Sequence, residues 1–332
     1  MDSDKLYLIF GLVLSAIQCA TILANSLTVI AFVKVPSLRT QSSNILIYAL
    51  SINDLFWGIF QLLYYGVPFM ADIGPPLGEI GCMISTPLEY TYSAGNMILV
   101  AISIDRVLLV TLDYAKYVKL MTTVRLKITI AICFLICLTG SLIELSLWNY
   151  AKRNNAIAAS IDFDAGCFFP PRRMKWIGIY VSLCFFILPL LLVGIFSLVF
   201  FKRLLVRINK TRQIGDTPSA RQPGDDTPLD TPRPSTISTE HANVNPSRKR
   251  YVKSAVTLAA LVTAMGISML PYSVYLLVVA FSGSFSPIAT DIMWLIVQLN
   301  PLLDPIFYAA TQKQLRAFYW NKVRGLFRTF CY

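Results

Sequence analysis

Two carboxylates, two carboxamides and a phenol stand inside stretches of this chain that are otherwise apolar. Asp54 lies in Leu50-Ser51-Ile52-Asn53-Asp54-Leu55, and Asp304 in Asn300-Pro301-Leu302-Leu303-Asp304-Pro305-Ile306-Phe307-Tyr308. On a helix, Asn300 and Tyr308 fall one turn either side of Asp304 and share its face. Together with Asn25, from a third apolar stretch, they would form a polar core. Two carboxylates close together in low dielectric repel, so one must be protonated or a cation must lie between them. The residues leave both options open. A further ionic pair, Asp105-Arg106, closes another apolar stretch. The only histidine, His241, sits in a Pro-, Ser- and Thr-rich segment, which excludes a His-based metal site and leaves an enzyme without a catalytic cluster.

The elements that carry these residues are long and apolar. Of 332 residues, 55% are hydrophobic and 14% charged, against about a quarter charged in soluble domains. Seven stretches, roughly residues 6–33, 45–70, 82–110, 128–148, 176–201, 255–281 and 292–310, meet or nearly meet the ~20 apolar residues that a membrane-spanning helix needs. The first is too long for a signal-peptide core and lacks a small-residue cleavage site, so it is expected to remain as a span. The sequence thus predicts an all-α fold, a seven-transmembrane helix bundle. An ionisable residue inside such a span costs a few kcal/mol, about 2.5–3.5 on insertion scales, and reads as functional by default. Pro68, Pro189, Pro271, Pro301 and Pro305 each interrupt a span. Each removes a backbone bond and bends its helix, which a bundle tolerates when neighbours satisfy the freed carbonyl.

Lys and Arg placement sets the orientation. Lys34, Arg39, Lys116, Lys119, Arg125, Lys127, the basic ends of 202–253 and the run from Lys313 to Arg328 fall on one side, and only Lys5, Lys152, Arg153, Arg172, Arg173 and Lys175 on the other. The N terminus is therefore expected outside, in the plasma membrane, and the C terminus inside. The net charge of +11 is mostly this inner excess, attracted to anionic lipid headgroups. No nucleic-acid partner is expected, because the positive residues flank spans and form no single face. Cys19, Cys133, Cys137 and Cys184 lie in apolar spans as packing residues. Cys82 and Cys167 both face the oxidising side, which permits a bridge, with two unpaired surface cysteines as the alternative. Cys331, near the inner end, is a candidate for lipidation or an ordinary thiol.

The chain divides into an outer N terminus of residues 1–5, a bundle of 6–310 and an inner helix and tail of 311–332. Within the bundle, the inner segment of about 210–247 is rich in Pro, Ser, Thr and Asp, repeats Asp-Thr-Pro at Asp216, Asp226 and Asp230, and is expected to be disordered. Thr217, Thr227 and Thr231 each precede Pro, a pattern open to proline-directed phosphorylation or to a plain linker. Its two ends mix basic and apolar residues at helical spacing and should extend the fifth and sixth helices. After the seventh span, Leu315, Phe318, Tyr319, Val323, Leu326 and Phe327 alternate with Lys and Arg, the pattern of an eighth, amphipathic helix on the inner membrane surface.

Asp105-Arg106 at the inner end of the third of seven spans, with Asn300-Pro301-Leu302-Leu303-Asp304-Pro305 and Tyr308 in the seventh, resembles the G protein-coupled receptors of the rhodopsin-like class. The resemblance implies an extracellular small-molecule ligand and a heterotrimeric G protein as partners. It also implies Pro271 and Pro305 as hinges, Asp105, Arg106 and Tyr308 as switch residues, and a sodium ion between Asp54 and Asp304. No other cofactor is expected. Shorter runs resemble the histamine and muscarinic acetylcholine branch of amine receptors: Leu38-Arg39-Thr40-Gln41, Ala101-Ile102-Ser103-Ile104-Asp105-Arg106, Val252-Lys253-Ser254 and Leu270-Pro271-Tyr272. Such receptors hold the ligand's ammonium on an Asp seven residues after the third-span Cys and eighteen before the Arg. Counting from Cys82 reaches Glu89, and counting back from Arg106 reaches Leu88. Glu89 is thus the candidate carboxylate, with Tyr272, Tyr275 and Trp294 as an aromatic cage for a cation and Ser182 and Gln298 as further contacts. Pairing of Glu89 with Arg172 or Arg173 is the alternative.

The chain departs from the pattern at several points. Val107 stands where Tyr is usual, Met269 replaces the sixth-span Trp, Ser197 replaces a fifth-span Tyr, and the fourth span lacks its Trp. Lys249-Arg250-Tyr251 occupies the sixth-span base where an acidic partner for Arg106 is usual, so Arg106 is expected to be restrained by Asp105 alone, favouring some signalling without ligand. A retinal receptor would need a seventh-span Lys, and residues 292–310 have none. A transporter or channel would show repeated halves, and none is evident. Within receptors, a short peptide or an environmental chemical remains the alternative to an amine.

Overall fold

Runs of twenty-odd apolar residues must satisfy their own backbone in lipid, and helix is the one local solution. The computed structural model describes residues 3–39, 44–71, 78–153, 175–215, 246–282 and 286–330, which are helix joined by short turns, with no strand among them. Among the described residues, seven helices are long and apolar enough to cross a membrane: Leu8–Lys34, Asn44–Met70, Met83–Thr111, Thr123–Leu147, Trp176–Arg207, Ala259–Ser282 and Ile288–Ala310. They are called helices one to seven below, and the end of the bundle that carries Arg106 is called its inner end, the opposite one its outer end. Most ends agree with the sequence reading to within a few residues. Helix four starts five residues earlier than the expected Ile128, because helical hydrogen bonding does not stop where the apolar run stops; Thr123, Val124, Arg125 and Lys127 are exposed on its inner turn. A short helix, Tyr114–Leu120, occupies the inner connection between helices three and four and buries Tyr117.

Helix three packs against helices two, four and five. Its span is 61% buried, against 28% for helix four, so helix three is the axis of the bundle. Helix four lies at the edge and shows Ile128, Ile132, Leu135 and Leu142 outward, as a lipid-facing stripe requires. Cys133 and Cys137 pack inward as expected, whereas Cys19 is on the outer surface of helix one. Helices two and five each contain a π-helical turn, Leu62–Gly66 and Ser182–Ile187. Each such turn rotates the outer end of its helix relative to the inner end. Gly66 ends the first of them against helix one: a Cβ there would sit 2.6 Å from Ser15 Oγ.

Three of the span prolines break backbone bonds that neighbouring helices then restore. Pro305 has no N–H for the Pro301 carbonyl, and Asn25 Nδ2 of helix one donates to it at 3.0 Å. Pro301 has none for the Val297 carbonyl, which receives the Tyr92 hydroxyl of helix three at 3.4 Å. Pro189 has none for the Phe185 carbonyl, which receives Asn96 Nδ2, also of helix three, at 3.3 Å. Helix seven is further divided at Gln298, a turn residue between Pro287–Val297 and Leu299–Thr311.

Past helix seven, Gln312 turns the chain into an eighth helix, Lys313–Phe330. Leu315 is fully buried against the bundle. Tyr319 reaches back to helix one, where its hydroxyl meets Thr28 Oγ1 and donates to the Ala24 carbonyl at 3.4 Å. Trp320 stays exposed with the Arg324 guanidinium 4.8 Å from its ring centre. Most of the 210–247 segment, Cys167, Cys331, Arg172, Arg173 and the side chains of Cys82 and Lys249-Arg250-Tyr251 lie outside the described residues.

Candidate functional site

The inner polar core assembles from helices one, two and seven. Asn25, Asp54, Asn300 and Asp304 are 0%, 4%, 4% and 1% exposed, so none of these groups exchanges a protein environment for water. Tyr308 is buried on the same helix as Asp304. Asn53 Nδ2 donates to Asp54 Oδ1 at 3.4 Å. Asp54 Oδ2, both carboxylate oxygens of Asp304, Asn25 Oδ1 and Asn300 Oδ1 have no donor within hydrogen-bond reach. Helix three approaches this group at Gly95, where a Cβ would lie 2.9 Å from Asn53 Nδ2 and 3.6 Å from Asp54 Oδ1. A side chain there would therefore push on the Asn53 carboxamide that donates to Asp54. The result is a buried set of oxygen acceptors on facing helices, the donor set that a hard cation takes.

The outer half of the bundle is a continuous aromatic cluster. Trp294 packs on Tyr272 with ring centres 5.6 Å apart and on Trp57 at 6.2 Å. Tyr272 meets Phe186 edge-on at 5.4 Å, and Trp57 meets Tyr92 at 5.2 Å. Through Phe60 the cluster continues to Tyr64 and Tyr65 of helix two. The partly buried Glu89 accepts the Tyr65 hydroxyl. Glu89 is thus directed to helix two, at the end of the cluster that contains Tyr272 and Trp294. Tyr275 is held apart from those rings: its hydroxyl donates to the Ser286 carbonyl at 2.9 Å and lies 2.9 Å from Thr290 Oγ1. Ser182 is fully buried and donates to the Ser273 carbonyl at 2.9 Å, joining the π-helical turn of helix five to helix six. Gln298 is fully buried in contacts with helices one and two.

At the inner end, Arg106 Nε lies 3.7 Å from Asp105 Oδ2. The other Asp105 oxygen accepts the Tyr117 hydroxyl at 2.8 Å, so the short inner helix holds the carboxylate in place. Arg207 of helix five donates to the Val110 and Leu109 carbonyls at 3.1 and 3.5 Å. These carbonyls belong to the last turn of helix three, which has no further backbone donors. Pro271 lies inside helix six, which is unbroken from Pro246 to Ser282.

Several participants were not singled out from sequence. Glu144, an ionisable residue inside the fourth span, is 7% exposed and accepts the Tyr90 hydroxyl at 2.5 Å. The rule that flagged Asp54 applies equally to it. Asn96, Tyr92, Gln18 and Gln61 are polar groups within apolar runs, which is a signal of the same kind, weaker because they carry no charge.

Residues 24–308 match the family model described as 7 transmembrane receptor (rhodopsin family). The chain is 26% identical over 324 residues to the histamine H2 receptor of Rattus norvegicus, covering 96% of this chain and 80% of that protein. It is 25% identical over 332 residues to the histamine H2 receptor of Canis lupus familiaris, covering 98% and 82%. With the histamine H2 receptor of Homo sapiens it shares 24% identity over 323 residues, covering 96% and 80%.

Proposed function

Because the chain belongs to the rhodopsin family of seven-transmembrane receptors, we propose that it binds a small cationic ligand among its outer helix ends and passes that binding to a heterotrimeric G protein. In this reading it resides in the plasma membrane with its N terminus outside. The observation that carries the ligand class is Glu89, a carboxylate bonded to Tyr65 at the edge of a cluster that includes Trp57, Tyr272 and Trp294. A phenol satisfies one oxygen of a carboxylate, whereas an ammonium satisfies its charge, and aromatic faces add attraction for a cation. Similarity to histamine H2 receptors favours a biogenic amine of that size.

The test is agonist binding by membranes carrying the full-length receptor, with a panel of biogenic amines. Glu89→Gln keeps the shape and removes the charge, so it should weaken a cationic agonist by about 2–4 kcal/mol, roughly 30- to 1,000-fold. Signalling without ligand should persist in that variant. Unchanged amine affinity would refute the role of Glu89.

In the inner core, the unpaired oxygens of Asp54, Asp304, Asn25 and Asn300 would hold a sodium ion. Binding there would stabilise one arrangement of helices two and seven by linkage. Raising sodium should then lower agonist affinity, and Asp54→Asn should abolish that dependence. A wild type indifferent to sodium would leave a shared proton as the answer to the paired carboxylates.

A further inference from the structure

Helix seven is interrupted at Gln298, and two neighbouring helices meet its side chain there. Gln298 Oε1 accepts from Gln18 Nε2 of helix one at 3.0 Å and from Trp57 Nε1 of helix two at 2.9 Å. Gln298 Nε2 donates to Gln61 Oε1 of helix two at 3.3 Å. All four side chains are 0% exposed. The indole N–H can only donate, so it fixes which end of the Gln298 carboxamide is the oxygen. That in turn fixes Gln18 as a donor and Gln61 as an acceptor toward Gln298. The carboxamides therefore run head to tail, Gln18 to Gln298 to Gln61, with an acceptor left over at one end and a donor at the other.

Those two end atoms, Gln18 Oε1 and Gln61 Nε2, are buried and have no protein partner. A third unpartnered atom, Ser15 Oγ, lies one turn from Gln18 on the same face of helix one. It presses against Gly66, across the π-helical turn from Gln61. An acceptor, a donor and a hydroxyl that serves as either thus line one seam between helices one and two. None carries charge, which disfavours an ion. A small neutral molecule that both donates and accepts fits all three, and a water with two to four polar partners is the usual occupant of such a buried place.

We propose that Ser15, Gln18 and Gln61 bind an internal water that completes the relay and ties the break in helix seven to helices one and two. The tie sits between the two candidate sites. Trp294 of the outer cluster is one turn above Gln298, and Pro301, held by Asn25 beside the polar core, is three residues below. The inference concerns the bundle alone and stands apart from the reading of ligand and G protein.

The test is a structure of the full-length receptor at a resolution that shows waters, joined to amide hydrogen exchange of helix seven. A single peak is expected at about 2.6–3.2 Å from at least two of Ser15 Oγ, Gln18 Oε1 and Gln61 Nε2. Direct contact between Gln18 and Gln61, an empty seam, or density for an ion or a larger ligand would overturn the proposal. Gln61→Met keeps the chain length without donor or acceptor. It should remove the peak and speed exchange of the amides around Gln298 roughly tenfold, through easier local opening; unchanged exchange would overturn the tie. Should that variant fail to fold, Ser15→Ala removes one partner with little change of volume. It should displace the peak and raise the same exchange, and no change in either would overturn the proposal equally.

Discussion

Asn25→Ala should destabilise the receptor, and most of the cost should vanish when Pro305 is also replaced by Ala. Asn25 Nδ2 donates to the Pro301 carbonyl at 3.0 Å because Pro305 cannot. It also donates to Thr21 of its own helix at 3.0 Å. Leaving a buried carbonyl without a donor costs about 1–3 kcal/mol in soluble proteins. Polar contacts between membrane helices average about 0.6 kcal/mol and reach about 1.7. Full burial and a bond of ordinary length place this contact toward the upper part of the membrane range, at about 1–1.5 kcal/mol. In a Pro305→Ala background, residue 305 regains an N–H one turn from Pro301, and the carbonyl no longer needs helix one. The double-mutant cycle should therefore show a coupling of about 1 kcal/mol. The Thr21 contact is lost in both backgrounds and cancels. Equilibrium unfolding of the purified receptor in mixed micelles measures the four corners. A coupling within about 0.3 kcal/mol of zero, the ordinary additivity error, would refute the claim that Asn25 replaces the missing proline bond.

Arg207→Ala should release the last turn of helix three from helix five, since Arg207 is the donor to the Val110 and Leu109 carbonyls. If inner-end opening passes the signal, ligand-independent output per surface receptor should rise about two- to fivefold, the effect of 0.4–1 kcal/mol at a helix C terminus; unchanged output would sink the idea. Tyr319→Phe should loosen the eighth helix by removing the contacts with Thr28 and Ala24, read as faster exchange of the Lys313–Phe330 amides. Burial raises the Tyr319 hydroxyl above the ordinary tyrosine range. Its contribution is therefore full below about pH 10 and is lost as pH rises further. In Tyr319→Phe that alkaline loss of docking should be absent.

The seven helices were legible because length and apolarity are local quantities, and the membrane admits few alternatives. The inner end of the fourth helix is not legible in the same way: apolarity stops at the bilayer surface, while backbone hydrogen bonding continues through Arg125 and Lys127. Asp54 and Asp304 were legible as candidates because a carboxylate in a span is costly wherever it points. Glu144 satisfies that rule too, but its meaning depends on Tyr90, and only the packing of helix three on helix four brings the two together. Tyr275, expected with Tyr272 and Trp294 as an aromatic cage, lies one turn from Tyr272 on the same helix. Helical spacing puts the two within about 60° of each other, but the partners of the Tyr275 hydroxyl, Ser286 and Thr290, come from the start of helix seven, which spacing alone does not show.

The prolines mark the boundary between what a sequence states and what a fold decides. Pro189, Pro301 and Pro305 each announce that one carbonyl, at Phe185, Val297 and Pro301, lacks its helical donor. They cannot announce who supplies the replacement, because that depends on how each neighbouring helix is rotated. In the bundle the replacements are Asn96, Tyr92 and Asn25, two from helix three and one from helix one. A bond that would have stiffened one helix becomes a bond between two. Such bonds can be exchanged by a small helix rotation without unfolding a turn, which a two-state bundle requires. Gln298 extends the logic to a place with no proline of its own: where helix seven breaks, its side chain is held by Gln18, Gln61 and Trp57. Helix seven, interrupted at Gln298, Pro301 and Pro305, is thus tied by side chains to helices one, two and three. Any rearrangement of helix seven must therefore exchange contacts with helices one, two and three together.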